Sequence, residues 1–414
     1  DPLVAGKKRL LFYDSQGTGP CRQGQYPHVH KLLLYRSATG REAADIDHPS
    51  CNALPGGGIF QFLIAKETDG YNAGFEEWVL LRAYQGAILQ GVLHGLLFKG
   101  TAVCRDYEEY QRFLVDYRAL KREINGLLES YHGPGSTGRR LLGTIGLDNP
   151  FSIPFKYLLY RLHGREFARP LRRFADTWIT PRPPPEKPLR IFISGEVYMR
   201  VSQAEDILRM LLATLGFGRF TLGLTPLMSY LEYMLDEAEL ISLAATEVAE
   251  SGARRKSSPE GQHDQDTILQ RERRMLRTIR LKRFMLRHIL ARPLFKAANL
   301  KMPTASAELI KISKELLPTQ RPVGELAPYV GEALLELRDG IDVVLNVGPN
   351  GCMVSSMGEV LTPRIMQASG VTSGRIQNLF SADGDVNEEL LTLVVLKAMG
   401  PERYYNTRHA VQTA

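Results

Sequence analysis

Cysteine is scarce in this chain: four in 414 residues, with no Cys-x-x-Cys pair. That excludes a small disulfide-stapled secreted scaffold and makes reduced thiols in the cytoplasm the expectation. Long hydrophobic runs are also missing. No 18 consecutive residues are apolar and free of charge, so no membrane span is expected. The opening Asp1-Pro2-Leu3-Val4 has no charged stretch leading into an apolar one, so no secretory signal is expected there. The missing initiator Met suits a piece trimmed from a longer chain. No repeat of about 20–50 residues is found. Gly133-Pro134-Gly135-Ser136-Thr137-Gly138 is followed by Arg139-Arg140, not by the Gly-Lys-Ser/Thr ending of a phosphate loop. It reads as a flexible connector, and the chain has no ATPase site of its own.

What is present is ordinary for a globular protein: 44% hydrophobic and 23% charged residues, with a mean hydropathy of −0.18. The length suits two or three domains. The net charge of +7 and pI near 9.1 suit acidic ligands such as CoA phosphates. No nucleic-acid-binding motif accompanies the charge, so nucleic acid is not the expected partner.

Along the chain, short apolar runs alternate with helical patterns. Arg9–Tyr13 reads as a buried strand, followed by the turn Gly17–Cys21 and a helix over Val29–Tyr35. Helices are predicted over Phe75–Phe98 and Tyr107–Tyr131. Pro181-Arg182-Pro183-Pro184-Pro185-Glu186-Lys187-Pro188 favours extended polyproline backbone and marks a boundary between lobes 1–185 and 186–414. Beyond it come strands at Leu189–Ile193, Phe220–Leu224, Val343–Val347 and Arg375–Phe380. Helices are predicted at Ala204–Leu215, Leu227–Leu235, Thr267–Leu290, Met357–Gln367 and Glu388–Met399. Residues 250–266 are polar and read as a mobile surface loop. The expected architecture is α/β: two or more Rossmann-like lobes, each a parallel sheet flanked by helices.

Ligands of open parallel sheets bind beyond the carboxyl ends of strands. Cys21 and Cys352 both follow a strand across a Gly/Pro turn, and Cys51 lies in the Gly/Pro-rich loop Pro49–Gly58. Such backbone can approach an iron–sulfur cluster closely and aim amide N–H groups at it. The spacing is equally compatible with three buried structural thiols. Cys104 lies between helical patterns beside Arg105, where an inert core thiol or a fourth ligand are both open.

Other candidates carry their own plain alternatives. Glu196, Tyr198 and Arg200 follow a strand and could bracket a ligand or donate a proton, or a Glu–Arg pair could simply fix the strand end. His28 and His30 are candidate proton donors, or surface histidines. The basic segment with Arg271, Arg273, Arg274, Arg277, Arg280, Lys282, Arg283, Arg287 and Arg292 reads as a solvated helix with one buried stripe, Leu276, Ile279, Phe284 and Leu290. Docking of CoA phosphates or of an acidic partner is its functional reading.

Four segments carry a family resemblance. Gly19-Pro20-Cys21-Arg22-Gln23-Gly24-Gln25-Tyr26, Ser194-Gly195-Glu196-Val197-Tyr198-Met199-Arg200, Asn346-Val347-Gly348-Pro349-Asn350-Gly351-Cys352-Met353 and Asn378-Leu379-Phe380-Ser381-Ala382-Asp383-Gly384 occur in that order. They resemble motifs of the 2-hydroxyacyl-CoA dehydratase component and benzoyl-CoA reductase superfamily, and are most similar to the cluster-binding region of acyl-CoA dehydratase activase-related proteins. Cys51 departs from the pattern: it stands two positions before Ala53, where relatives carry a Cys directly before Leu/Tyr-Pro.

The resemblance implies a [4Fe–4S] cluster on Cys21, Cys51 and Cys352, an ATP-dependent activator as separate or fused partner, and an acyl-CoA substrate. In that chemistry one low-potential electron converts a thioester into a ketyl radical, which drives dehydration or reduction. A homo- or hetero-dimer in the cytoplasm is expected. The competing readings are an electron-relay or scaffold subunit without its own substrate, and a cluster-free binding module that keeps the fold.

Overall fold

A computed structural model describes residues 10–16, 60–66, 75–130, 153–182, 186–253, 259–318, 324–371, 374–382 and 384–398. The chain divides into two compact units, Asp1–Glu76 and Glu77–Ala414.

In the first unit, β1 (Leu10–Gln16) pairs in parallel with β2 (Phe60–Lys66), from Leu10 opposite Phe60 to Gln16 opposite Lys66. A parallel pair needs a crossover connection rather than a hairpin. The strand expected at Arg9–Tyr13 is therefore present and longer, while β2 carries no expectation from the sequence. The helix predicted over Val29–Tyr35 lies outside the described residues.

The second unit is built on a parallel sheet with strand order β4-β3-β5-β6. Its strands are β3 (Leu189–Gly195), β4 (Phe220–Leu224), β5 (Val343–Pro349) and β6 (Ile376–Ser381). β5 is central, and six of its seven residues are buried, as a strand covered on both faces must be. Its side chains alternate between two cores. Val343, Leu345 and Val347 join the larger core with Ile88, Phe113, Phe167 and Leu211, while Val344 joins Tyr329, Val330, Leu334 and Ile365 on the other face. This is the expected α/β architecture, a parallel sheet flanked by helices.

The larger core is closed by α1 (Phe75–Val103), α2 (Tyr107–Ser130) and α3 (Ile153–Trp178). The stretch Arg82–Val103 is the one among the described residues long and apolar enough to cross a membrane by composition, and most of it is buried inside the protein. Its glycines explain that burial. A Cβ on Gly91, Gly95 or Gly100 would stand 2.7 Å from Pro226, 2.7 Å from Leu300 and 2.2 Å from Phe113, so α1 packs with bare backbone against its neighbours.

The proline-rich stretch joins α3 to β3 inside the second unit. Phe167 and Leu171 before it share a core with Leu189 and Ile191 after it. Arg182 lies 4.7 Å above the Trp178 ring and 2.6 Å from Glu109. Next come α4 (Val197–Ser202) and α5 (Ala204–Leu215), then β4, and then a long helical pair, α6 (Leu227–Ala253) and α7 (Pro259–Phe284). α7 runs into a π-helical turn, Met285–Ala291, and α8 (Arg292–Ala297).

The mobile loop expected over residues 250–266 is corrected here: α6 continues to Ala253 and α7 already begins at Pro259. Proline suits the first turn of a helix, and the pair is held by charge. Glu232, Asp236 and Glu239 form one stripe on α6, and Arg280 and Arg283 of α7, with Arg287 of the π-helical turn that follows, meet it. Arg287–Glu232 is 3.0 Å, and Arg283 and Arg280 each approach Glu239 to 2.6 Å. Polar composition therefore hid a helix whose polar groups find partners. Leu276, Ile279 and Leu290 are buried as expected; Phe284 is exposed.

The chain then passes through α9 (Ser306–Ser313) and α10 (Leu326–Arg338) to β5, α11 (Met353–Ala368), β6 and a last helix, α12, over 388–398. α10 and α11 cover the second face of the sheet.

Candidate functional site

The strand order places a switch point between β3 and β5: the chain leaves β3 outward to β4, then returns to β3's other side at β5. Crevices at the carboxyl ends of such strands are where doubly wound sheets bind ligands. Three close approaches build the crevice floor here. The Glu196 N–H donates to Val347 O at 2.8 Å. Gly195 has φ +105°, and a Cβ there would lie 2.2 Å from Val347 O. A Cβ on Gly348 would lie 1.8 Å from Ser355 Oγ and 3.4 Å from Glu196 Cβ. Only glycine fits at these two positions.

Beyond β5 the chain turns through Pro349-Asn350-Gly351 into α11. Asn350 N–H donates to Ser381 O at the end of β6 (2.7 Å), and Cys352 N–H to Pro349 O (3.0 Å). This leaves Cys352 as the N-cap of α11, in extended backbone (φ −67°, ψ 137°) and half-buried. Burial pushes its thiol above the usual value and the Glu196 charge adds to that, while the amides of Val354 and Ser355 pull it down. The sulfur thus lies at a helix start, where the helix dipole favours a thiolate.

The other predicted residues take different places. Glu196 is the N-cap of α4, its carboxylate accepting from Tyr198 N–H (3.0 Å) and Met199 N–H (2.8 Å). Tyr198 points outward and is 73% exposed. Arg200 turns inward and is buried, donating to Gly195 O at 2.6 Å and pairing with Glu325 at 3.0 Å. The alternative of a Glu196–Arg200 pair is therefore not what fixes the strand end; Glu196 caps and Arg200 pairs elsewhere.

Sequence reasoning missed Arg200's surroundings. Glu325 precedes α10 and also accepts from Val197 N–H at 3.2 Å. Burial pushes its carboxyl up to about 7, with Glu196 adding to the rise and Arg200 opposing it. Glu332, on α10, is buried and accepts from Ser194 Oγ at 2.6 Å and from Thr225 Oγ1. Burial raises its carboxyl too, against the pull of Arg200. A signal existed: Glu332 sits between Tyr329, Val330, Ala333 and Leu334, an apolar stretch in which a charge has to be satisfied from another element.

Cys104 is 1% exposed and donates to Gly100 O at 3.2 Å, with burial raising its thiol to about 12. It is a core thiol at the end of α1. Cys21, Cys51, His28 and His30 lie outside the described residues. Among the described residues no group of three or more His, Cys, Asp or Glu is arranged to hold a metal ion.

Behind α4 lies a cavity of about 820 Å³, lined by Val201, Ser202 and Glu205 on one side and by α1 and α2 residues including Leu93, His94 and Lys121 on the other. Lys121 pairs with Glu205 across it at 3.0 Å. Burial lowers the His94 imidazole to about 4, so it is neutral near pH 7.

No protein-family model matches the chain, and neither do any curated protein or solved structure. The class that can be stated from the fold is thus a parallel α/β protein whose strand order switches between β3 and β5.

Proposed function

We propose that this chain is an iron–sulfur protein of the 2-hydroxyacyl-CoA dehydratase or reductase type, with Cys21, Cys51 and Cys352 as ligands of a [4Fe–4S] cluster. The observation that carries the reading is the place of Cys352: a half-buried thiol at the N-cap position of α11, at the switch point between β3 and β5. A half-buried thiol at a helix N-terminus fits an iron ligand, because the helix dipole offsets thiolate charge. Cys104 does not fit, being committed to the core. When bound, the cluster supplies one-electron reduction at low potential.

The chain's own residues bind and orient. Glu196 caps α4 and so fixes where Tyr198 stands. The exposed Tyr198 phenol is free to donate a hydrogen bond to a ligand docked at the strand ends. Arg200 is a positioning residue, tying Gly195 to Glu325. An acyl-CoA thioester is the proposed substrate class. The cavity of about 820 Å³ beside α4 favours a substrate-binding subunit over a pure electron relay. An ATP-dependent activator as partner, a dimeric state and a cytoplasmic location belong to the same proposal.

Anaerobic reconstitution with iron and sulfide tests it. The proposal expects a brown protein with about four irons per chain and binding of an acyl-CoA thioester. A colourless, iron-free product would overturn it.

A further inference from the structure

The cavity of about 820 Å³ lies among α1, α2, α4 and α5, within the range of about 300–1,000 Å³ that small-molecule sites occupy. Much of its wall is aliphatic: Leu89, Leu93 and Leu97 from α1, Leu114 and Ile124 from α2, and Leu208 from α5. Such a wall suits a flexible apolar chain, which gains by leaving water.

Two polar side chains on the same wall are buried and unspent. Tyr117 is 3% exposed, and its ring is held between Phe113 at 6.1 Å and Phe174 at 6.2 Å. Its Oη has no hydrogen-bond partner. His94 is 7% exposed and stacks on Phe98 at 5.9 Å, and among the described residues it makes no hydrogen bond. A buried donor without an acceptor carries its full desolvation cost, which an oxygen of a ligand relieves. Glu205 acts on both groups through its charge, so both lie near the Lys121–Glu205 pair. The charge there is uneven. Lys121 pairs with Glu205 and Arg209 with Asp206, whereas Arg118 has no ion pair among the described residues. One exposed cation is left over for an anion.

We propose that this cavity binds an acyl group. Its chain lies along the leucines, its carbonyl oxygen accepts from Tyr117 Oη and the His94 N–H, and Arg118 meets its anionic part. That chemistry belongs to a free carboxylate and to a CoA thioester alike. The inference deepens the substrate half of the reading above, on which its thioester form rests, and needs nothing from the cluster.

Calorimetric titration of the full, iron-free chain with octanoate, octanoyl-CoA and CoA alone tests it. One or both acyl ligands should bind, and CoA alone should bind more weakly than octanoyl-CoA. Tyr117→Phe keeps the packed ring and His94→Phe keeps the stack on Phe98. Each should weaken acyl binding about tenfold, the worth of one hydrogen bond. Gly86 lines the cavity too, and a Cβ there meets only Leu128 Cδ2, at 3.8 Å. Gly86→Leu therefore grows into open space and should abolish binding. Failure of both acyl ligands to bind folded wild type overturns the proposal, as does an affinity left unchanged in any of the three folded variants. Octanoyl-CoA bound equally well by all three sinks this site and leaves the dehydratase reading standing. Octanoate bound where octanoyl-CoA is refused keeps this site and sinks the thioester substrate.

Discussion

Arg200 and Glu325 form an ion pair of 3.0 Å between side chains that are 4% and 11% exposed, and the same arginine holds Gly195 O at 2.6 Å. One buried cation thereby ties the end of β3 to the start of α10. Removing it strands two carboxyls in the interior. Arg200→Met should cost about 3–5 kcal/mol in urea unfolding at pH 7, and less at pH 5, where Glu325 and Glu332 take up protons.

Stability should respond to pH in a defined window. Glu325 is raised from the ordinary carboxyl value to about 7, so the folded state binds its proton more tightly than the unfolded chain does. Its contribution is fully present below about pH 4.5 and is lost as pH rises towards 7, on the order of 3 kcal/mol in all. Glu332 and Glu336 are raised as well and act in the same direction. Urea midpoints at about pH 5, 6, 7 and 8 should therefore decline, and Glu325→Gln should flatten the slope.

Glu196 links the two helix starts, since it caps α4 and its charge raises the Cys352 thiol. Glu196→Gln removes the charge and keeps an acceptor for the cap. Alkylation of Cys352 in the metal-free protein, followed by peptide mass spectrometry near pH 8, should become faster by a few-fold. Cys104, raised to about 12 by burial, should stay unreactive in both proteins.

How much of this was legible beforehand depended on how local the cause was. α5 and β4 lie where the apolar pattern puts them, Ala204–Leu215 and Phe220–Leu224, because periodicity and burial agree there. The first turns of α7 were hidden, because their composition is polar and carries no apolar periodicity to mark a helix. Glu325 was invisible because its partner amide, Val197, is 128 residues away. Cys352 was legible from its Gly/Pro turn after a strand, while its role as helix N-cap beside Glu196 needed the sheet order.

The glycines of the crevice floor give a sharp stereochemical prediction. Gly195→Ala places a side chain at φ +105° and 2.2 Å from a backbone oxygen, whereas Gly348→Ala collides with the side chain of Ser355, which is fully buried. Both should destabilise, Gly195→Ala by more than about 3 kcal/mol. Gly348→Ala combined with Ser355→Ala should recover part of its loss. Thermal unfolding of the single and double variants measures the difference.

Iron stoichiometry is the most direct measurement of the central claim. Wild type, Cys104→Ala and Cys352→Ala would be reconstituted anaerobically side by side, with iron counted per chain. About four irons in wild type and in Cys104→Ala, with the cluster lost in Cys352→Ala, is the predicted result. An iron-free wild type, or a Cys352→Ala protein that loads as fully as wild type, would contradict it.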